Sequence, residues 1–137
     1  MANDSDTQEE KLVELISVAS LKHIEGFSEK RVLWLKDKIL REGIWSVPIK
    51  IDAQHHLVMD GQHRMEVASL LGLSVVPCIC YQYDEVEVWS LRSSYAVTAD
   101  EIIKRSLTGN IYPYKTAKHR FPFGEEILCH IPIDKLR

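Results

Sequence analysis

The sequence predicts a mixed α+β or α/β fold, in which helices flank a small mixed sheet. Short β-rich runs recur between three segments of helical periodicity along the 137 residues. One of these runs leads through Asp60-Gly61 directly into a helix. Hydrophobic residues make up 45% and charged residues 27% of the chain, an ordinary globular balance. We therefore expect a single domain over residues 10–137, preceded by a polar, acidic leader at 1–9 that is expected to be disordered.

Charge and composition argue against several classes of protein. The net charge is −3, from 17 Lys and Arg against 20 Asp and Glu, whereas general nucleic-acid binders usually carry a basic excess. No apolar run approaches the roughly 18 residues of a membrane span. Cys78, Cys80 and Cys129 are odd in number and lie in apolar contexts, which favours free buried thiols. The sequence thus favours a cytoplasmic protein for which neither a membrane nor a nucleic-acid partner is expected.

In the first part of the chain, loose alternation over 11–18 predicts a strand, and residues 21–26 read as a loop. Ser28 is a good N-cap for a helix over 31–41, which Gly43 ends. The positions expected on the inner face of this helix are Val32, Leu35, Ile39 and Leu40. Trp34 and Trp45 are expected to pack in or at the rim of the core.

In the middle of the chain, two short strands are predicted at 47–51 and 57–59, joined by a turn. A second helix begins at Gln62 and stops at Gly72. The positions expected on its buried face are Met65, Val67, Ala68, Leu70 and Leu71.

In the last part of the chain, a third helix is predicted to end at Leu107, with Thr98 as N-cap and Glu101 completing a capping box. The stretch 112–120 is expected to be irregular, aromatic and basic. Further strands are predicted at 75–83, 86–91 and 126–131.

The turn Asp60-Gly61-Gln62-His63-Arg64 is the strongest candidate for binding chemistry. Backbone amides at a helix N-terminus lack helical partners, and the helix dipole favours an anion there. Arg64 adds a permanent cation suited to bidentate phosphate contacts, and Asp60 offers the hard oxygen that Mg²⁺ takes when it bridges phosphates. An ordinary Asp-Gly turn is the competing interpretation, since neither G-x-x-x-x-G-K-[ST] nor G-x-G-x-x-G is present.

Two further segments contain candidate residues. Glu25, in a loop just before a helix, is a candidate general base, although a solvated loop acid is the simpler interpretation, and the same holds for the neighbouring His23. Lys115 and His119, four residues apart and next to Thr116, lie in a basic, aromatic segment that suits a phosphate or carboxylate. A surface loop whose aromatic residues pack on the core is the alternative there.

These features occur in an order that resembles the ParB/sulfiredoxin-type nucleotide-binding domain. A loop His23-x-Glu25, a helix of the type Glu-x-x-Val-x-x-Leu-x-x-x-Ile, a glycine, a Pro-containing strand and Asp-Gly-x-His-Arg span about residues 12–82. The stretch 99–120, which includes Tyr-Pro-Tyr-Lys-Thr-Ala-Lys-His-Arg, is similar to the end of the free L-serine kinases of this superfamily. These are the archaeal ADP-dependent enzyme and the siderophore-cluster kinase, whose corresponding run is close to Pro-x-Lys-Thr-Thr-Arg-His.

The resemblance implies a ParB/sulfiredoxin-like fold and transfer of a phosphoryl group from ATP or ADP to free L-serine, with Mg²⁺ held by Asp60. It implies that Glu25 is the base toward the serine hydroxyl and that 98–120 forms a helix plus a substrate-binding segment. The implied nucleotide-binding residues are Asp60, Gly61, Gln62, His63 and Arg64. The candidate substrate-binding residues are Lys115, Thr116 and His119, with Trp89 added because it breaks the alternation of its strand. Whether the protein forms a homodimer is left open.

The chain departs from the kinase pattern at three positions. Gln62 replaces the first histidine of the family's Asp-Gly-His-His-Arg turn. Ala117 replaces the second threonine of the substrate segment, and Lys118 replaces its arginine. The last two changes lie in the substrate segment and bear on the choice of substrate.

Two other functions stay open. One is a nucleotide-binding regulator that keeps the site without turnover, and the other is a DNA-associated module of the chromosome-partitioning type. Partitioning proteins carry Gly-Glu-Arg-Arg at the turn and a following helix-turn-helix, and this chain shows neither. Sulfiredoxin chemistry lacks a nucleophile here, because Gln62 stands where its reactive cysteine lies.

Overall fold

The computed structural model describes residues 11–122 and 127–137, so the leader expected at 1–9 lies outside the described residues. The strands and helices that the sequence predicts occur in the predicted order, and two further short strands lie at Ile44–Trp45 and Ala117–Arg120. In chain order they are β1 (Glu14–Ser17), α1 (Glu29–Glu42), β2 (Ile44–Trp45), β3 (Ile49–Asp52), β4 (Val58–Asp60), α2 (Gln62–Leu70), β5 (Val75–Tyr81), β6 (Glu87–Ser90), α3 (Ala99–Leu107), β7 (Ala117–Arg120) and β8 (Ile131–Pro132). Within the described ranges, no helix is both long and apolar enough to span a bilayer.

The central sheet is mixed, with the strand order β1-β5-β3-β4. Strand β5 is antiparallel to β1 and parallel to β3, and β4 is antiparallel to β3. The parallel pairing of β3 with β5 needs a crossover connection, which β4 and α2 provide. This arrangement confirms the small mixed sheet that the sequence predicts.

Helices α1 and α2 pack against each other and share one hydrophobic core with the sheet. The buried helical positions include Val32, Leu35 and Ile39 of α1 and Val67 and Ala68 of α2, all of which the sequence predicts. Leu40 and Leu70 were expected in this core, but they are 46% and 58% exposed. Both lie on the order of 100° around the helix axis from the centre of the buried stripe, so they reach solvent instead.

The predicted helix ends are confirmed. The side chain of Ser28 accepts a hydrogen bond from the backbone amide of Arg31, and Gly43 ends α1 in the left-handed conformation. The hydroxyl of Thr98 accepts a hydrogen bond from the backbone amide of Glu101 at the start of α3. These bonds satisfy amides that the helices themselves leave unpaired.

The segment 112–120, which was expected to be irregular, ends in strand β7. This strand pairs antiparallel with β6 in a separate two-stranded sheet. Lys118 and Arg120 are exposed, while Ala117 and His119 are more buried. The inward positions are thus a small residue and a histidine, so the strand lacks the apolar alternation by which strands are predicted.

The strand predicted at 126–131 is wrong in its extent. Residues 127–130 have no regular structure, residue 126 lies outside the described residues, and β8 comprises only two residues. Strand β8 pairs with β2, which the sequence did not predict. Two residues are too few for a periodic pattern to appear.

The loop that carries Glu25 lies alongside the segment that follows α3. The amide of Gly26 donates to the carbonyl of Tyr112, and the amide of Tyr112 donates to the carbonyl of Ile24, both at 2.9 Å. A second buried cluster beneath these bonds comprises Ile24, Leu57, Ile102 and Tyr112. The two segments are therefore held together by both backbone pairing and apolar burial.

We expect the substitution Gly61→Ala to destabilise this fold. Gly61 has a φ of +124°, and a Cβ at this position would lie 3.1 Å from Cγ2 of Ile49. Backbone strain and overpacking together should lower the free energy of unfolding by about 2–4 kcal/mol. Gly43→Ala is the matched control, because Gly43 also has a positive φ but has no atom within 4 Å of its added Cβ.

Urea denaturation measures both variants. The control should lose only about 1–2 kcal/mol, the usual cost of a left-handed backbone for an L-residue. Equal losses in the two variants would show that the contact with Ile49 plays no part.

Candidate active site

A cavity of about 790 Å³ opens between α1, the N-terminus of α2 and the segment that leads into β7. The cationic side chains that line it are Arg31, Lys38, Arg64, Lys115 and Lys118. The carboxylates that line it are Glu25 and Asp60. Because cations outnumber carboxylates, the cavity favours an anionic ligand.

Eight of the ten candidate residues line this cavity. They are Glu25, Asp60, Gly61, Gln62, His63, Arg64, Lys115 and His119. Thr116 is fully buried, and its hydroxyl donates to the carbonyl of Pro113 at 2.6 Å. Trp89 lies on β6 opposite Lys118 and does not line the cavity. The structure thus brings together two segments of the chain that the sequence analysis considered separately.

Gly61 provides the turn from β4 into α2. It is the N-cap of α2. Because glycine has no side chain, it cannot accept a hydrogen bond from the first amides of the helix. Asp60 is exposed beside this turn, at the end of β4. A helix N-terminus of this kind attracts an anion through its amides and its dipole.

The side chain of Gln62 links the start of α2 to β4 and to the loop that contains His23. It is 7% exposed, and its Nε2 donates to the carbonyl of Val58 at 2.7 Å. Its Oε1 lies 2.6 Å from Nδ1 of His23. Both ends of the side-chain amide therefore make contacts within the protein, which favours contact with a ligand through the backbone of Gln62.

His63 is a neutral histidine that links α2 to the loop before α1. Its Nε2 accepts a hydrogen bond from the amide of Ser28 at 3.0 Å, so the ring hydrogen is on Nδ1. Burial lowers the pKa of His63, and the charges of Arg31 and Arg64 lower it further. The ring also makes an edge contact with Tyr114.

The carboxylate of Glu25 is held by the first residue of β7 and the residue before it. Its Oε1 accepts hydrogen bonds from the amides of Ala117 at 2.8 Å and Thr116 at 3.2 Å. Burial raises the pKa of Glu25 above its ordinary value, while the amides of Ala117, Thr116 and Lys115 and the charge of Arg92 act in the opposite direction. A carboxylate with a raised pKa is a better proton acceptor near neutral pH.

Lys115 gives the segment its shape. It adopts a φ of +59°, a left-handed conformation that is uncommon for a residue with a side chain. Such a residue lets successive amides converge on one acceptor, as those of Thr116 and Ala117 do on Glu25. Arg92 braces the same segment, because its Nη2 donates to the carbonyl of Tyr114 at 2.7 Å.

His119 lies in the cavity wall as a neutral ring. Burial lowers its pKa to about 4, and the charge of Lys118 contributes in the same direction. Its Nε2 is 3.1 Å from the hydroxyl of Tyr83. Its Nδ1 is buried and has no hydrogen-bond partner within the part of the chain that the structure describes. Buried polar atoms usually have a partner, so this nitrogen is an exception among the described residues.

One wall of the cavity was missed by the sequence analysis. Arg31, Trp34 and Lys38 lie on one face of α1 and line the cavity. Trp34, which was expected to pack in or at the rim of the core, is 57% exposed. The spacing of these three residues is visible in the sequence, but nothing local shows that this helical face borders a cavity.

The residues of the cavity fit a magnesium ion only if phosphates complete its coordination. Among the described residues, no three His, Cys, Asp or Glu side chains are grouped as a metal site. Asp60 alone offers an exposed carboxylate beside the Gly61 turn. One or two carboxylates together with phosphate oxygens and water form a common magnesium site in proteins.

The mixed sheet and its crossover agree with the ParB/sulfiredoxin-like fold that the sequence resemblance implies. No protein-family model and no curated protein matches the sequence. The structure is nevertheless similar to that of SbnI from Staphylococcus aureus with a C-terminal truncation, with a TM-score of 0.80 and 13% identity over 91% of this chain and 89% of that chain.

Free serine kinases are similar to the same degree. Free serine kinase in complex with AMP gives a TM-score of 0.82 at 13% identity, over 91% of this chain and 93% of that chain. A mutant of free serine kinase in complex with ADP gives 0.82 at 13% identity, over 93% and 95% of the two chains. The chain therefore has the fold of the free serine kinases, as its sequence resemblance implies.

The raised pKa of Glu25 predicts a pH dependence of stability. The folded protein holds the Glu25 proton more tightly than the unfolded chain, for which the value is near 4.5. The carboxyl therefore contributes most to stability below that value, and this contribution is lost as the pH rises through the pKa of the folded state. Glu25→Gln should lack this loss, since its amide does not titrate.

Urea denaturation at several pH values on both sides of this window measures the effect. The free energy of unfolding of the wild type, relative to Glu25→Gln, should fall as the pH rises. Two curves that stay parallel across the window would contradict the assignment.

Proposed function

We propose that this protein transfers a phosphoryl group from ATP or ADP to the hydroxyl of a free amino acid, with L-serine as the substrate. The observation that carries this proposal is that Glu25 and the Gly61 turn border the same cation-lined cavity. Phosphoryl transfer demands mainly positioning and neutralisation of charge, which such a cavity supplies. The fold shared with free serine kinases supports the proposal.

The donor phosphates bind, in this proposal, at the N-terminus of α2. Backbone amides from Gly61 to His63 face the phosphate oxygens, and the guanidinium of Arg64 adds a bidentate contact. His63 stays neutral because its pKa is lowered by burial and by neighbouring cations. Gln62 takes part through its backbone, since its side chain is bound to Val58.

The base of the nucleotide stacks on Trp34. This indole is a large, exposed apolar surface in a cavity that otherwise has many charges. Aromatic side chains bind nucleobases by stacking, which is worth about 1–3 kcal/mol per base. Arg31 and Lys38 lie about one helical turn before and after Trp34, where they add charge for the phosphates.

The amino acid binds at the segment that leads into β7. Lys115 pairs with its carboxylate, and the ring of His119 borders the amino acid in the cavity wall. Thr116 acts through its backbone amide, which holds Glu25 in place. Trp89 has no part in this arrangement, because it lies outside the cavity.

In the transfer step, the serine oxygen attacks the terminal phosphorus and its proton passes to Oε2 of Glu25. The bond between that phosphorus and the bridging oxygen breaks, and its electron pair leaves with the nucleotide. The products are O-phosphoserine and ADP or AMP, depending on the donor. The two amides on Oε1 keep the carboxylate in position.

Mg²⁺ is the cofactor that this chemistry requires. Asp60 would hold it together with phosphate oxygens of the donor, and the bound ion would neutralise negative charge on the phosphates. Glu25 remains the proton acceptor.

Incubation with L-serine, Mg²⁺ and ATP or ADP, followed by ³¹P NMR, tests the proposal. The wild type should form O-phosphoserine. Glu25→Gln should lower kcat by roughly 10²–10⁴, the usual contribution of a general base. Nucleotide affinity, measured by calorimetry on the same variant, should stay unchanged because Glu25 contacts the amino acid.

Two results would contradict the proposal in different ways. Normal turnover by Glu25→Gln would show that this carboxylate only holds the segment of Thr116 and Ala117. Tight nucleotide binding without turnover of any amino acid would instead indicate that the protein is a nucleotide-binding regulator.

A further inference from the structure

His23 lies between two hydrogen-bond acceptors. The orientation of the Gln62 amide is fixed, because its Nε2 donates to the carbonyl of Val58 at 2.7 Å. The oxygen Oε1 of Gln62 must then be the atom 2.6 Å from Nδ1 of His23. An amide oxygen accepts and never donates, so Nδ1 of His23 carries a hydrogen.

The other ring nitrogen of His23 faces a carboxylate. Its Nε2 is 2.7 Å from Oε2 of Glu66. A neutral ring with its hydrogen on Nδ1 would place the lone pair of Nε2 against the carboxylate oxygen. The contact is favourable only if a proton lies between the two atoms, and imidazole ordinarily holds a proton more tightly than a carboxylate does. A doubly protonated ring satisfies both contacts.

We propose that His23 is an imidazolium that positions Glu25 against the first turn of α2. This positioning role rests on the proposed function, since Glu25 is a base only in that reaction. His23 lies two residues before Glu25, and the amide of Ser28, three residues after it, donates to His63. Residues on both sides of Glu25 are thus bound to neighbouring residues at the start of α2.

The aromatic packing reinforces these two links. The ring of Phe27 stacks on His23 at a centroid distance of 5.1 Å and makes an edge contact with His63 at 6.3 Å. His23 is also well shielded, with 17% of its side chain exposed. Glu25 consequently cannot shift relative to the Gly61 turn without breaking a charged hydrogen bond or a ring stack.

Two titratable groups of α2, Glu66 and His63, lie near His23. Glu66 supplies one negative charge at hydrogen-bond distance. His63 is the nearby titratable group on α2, and it stays neutral because burial and the charges of Arg31 and Arg64, with a further contribution from His23, lower its pKa. One positive and one negative charge therefore face each other in the link.

Nitrogen NMR of the histidine rings tests the protonation state without reference to activity. In the wild type near neutral pH, both ring nitrogens of His23 should carry hydrogen. In Glu66→Gln, only Nδ1 should do so, because a glutamine amide can donate to Nε2 and a neutral ring then satisfies both contacts. A neutral His23 ring in the wild type would overturn the proposal.

Amide hydrogen exchange and kinetics test the positioning. In His23→Ala, the amides of Thr116 and Ala117 should exchange faster, and kcat should fall by about 10- to 100-fold, as expected for a misplaced catalytic group. Nucleotide affinity should stay unchanged. Glu66→Gln should keep most of the activity, and His130→Ala, which removes an exposed histidine outside the cavity, should match the wild type.

Unchanged exchange at both amides in a folded His23→Ala protein would overturn the positioning role. A wild type without kinase activity would instead count against the proposed function, while the ring protonation and the exchange rates still decide whether His23 is the charged link described here. The two failures are therefore distinguishable.

Discussion

The hydrogen bonds from the amides of Ala117 and Thr116 to the carboxylate of Glu25 join the two sides of the cavity. Glu25 belongs to the loop before α1, while the amides belong to the segment that follows α3, some ninety residues later in the chain. Burial of this carboxylate has a free-energy cost that the amides offset in part. These hydrogen bonds thus hold the two sides of the cavity together, while burial of the same carboxylate leaves the pKa of Glu25 raised.

The opposite side of the cavity depends on the close approach of Gly61 to Ile49. Without a Cβ, the chain passes from β4 to α2 against the core of the sheet, so the N-terminus of α2 borders the cavity. His23 and His63 then connect this N-terminus to the loop of Glu25. The relative placement of the Gly61 turn and Glu25 is therefore set by partly buried hydrogen bonds between loops and the first turn of one helix.

The sequence predicts local features well and spatial neighbours poorly. The helix caps and the glycine turn follow from residue types at fixed offsets, so these features could be predicted from short segments. The proposed role of Glu25 follows from the family resemblance, since a loop acid has no local signature of catalysis. Trp34 was misjudged because an exposed and a buried aromatic residue look alike in a helical pattern. Gln62 was assigned to ligand binding, although its side chain is bound to Val58.

The central claim is that the N-terminus of α2 binds the phosphates of a nucleotide. Titration with ADP, followed by the amide resonances of the protein, tests it most directly. The account predicts that the amides of Gly61, Gln62 and His63 shift on binding, and that Arg64→Ala weakens the affinity by about 1.5–3 kcal/mol, the scale of a charge-assisted hydrogen bond. Saturable binding that shifts a different surface and leaves these three amides unmoved would contradict it.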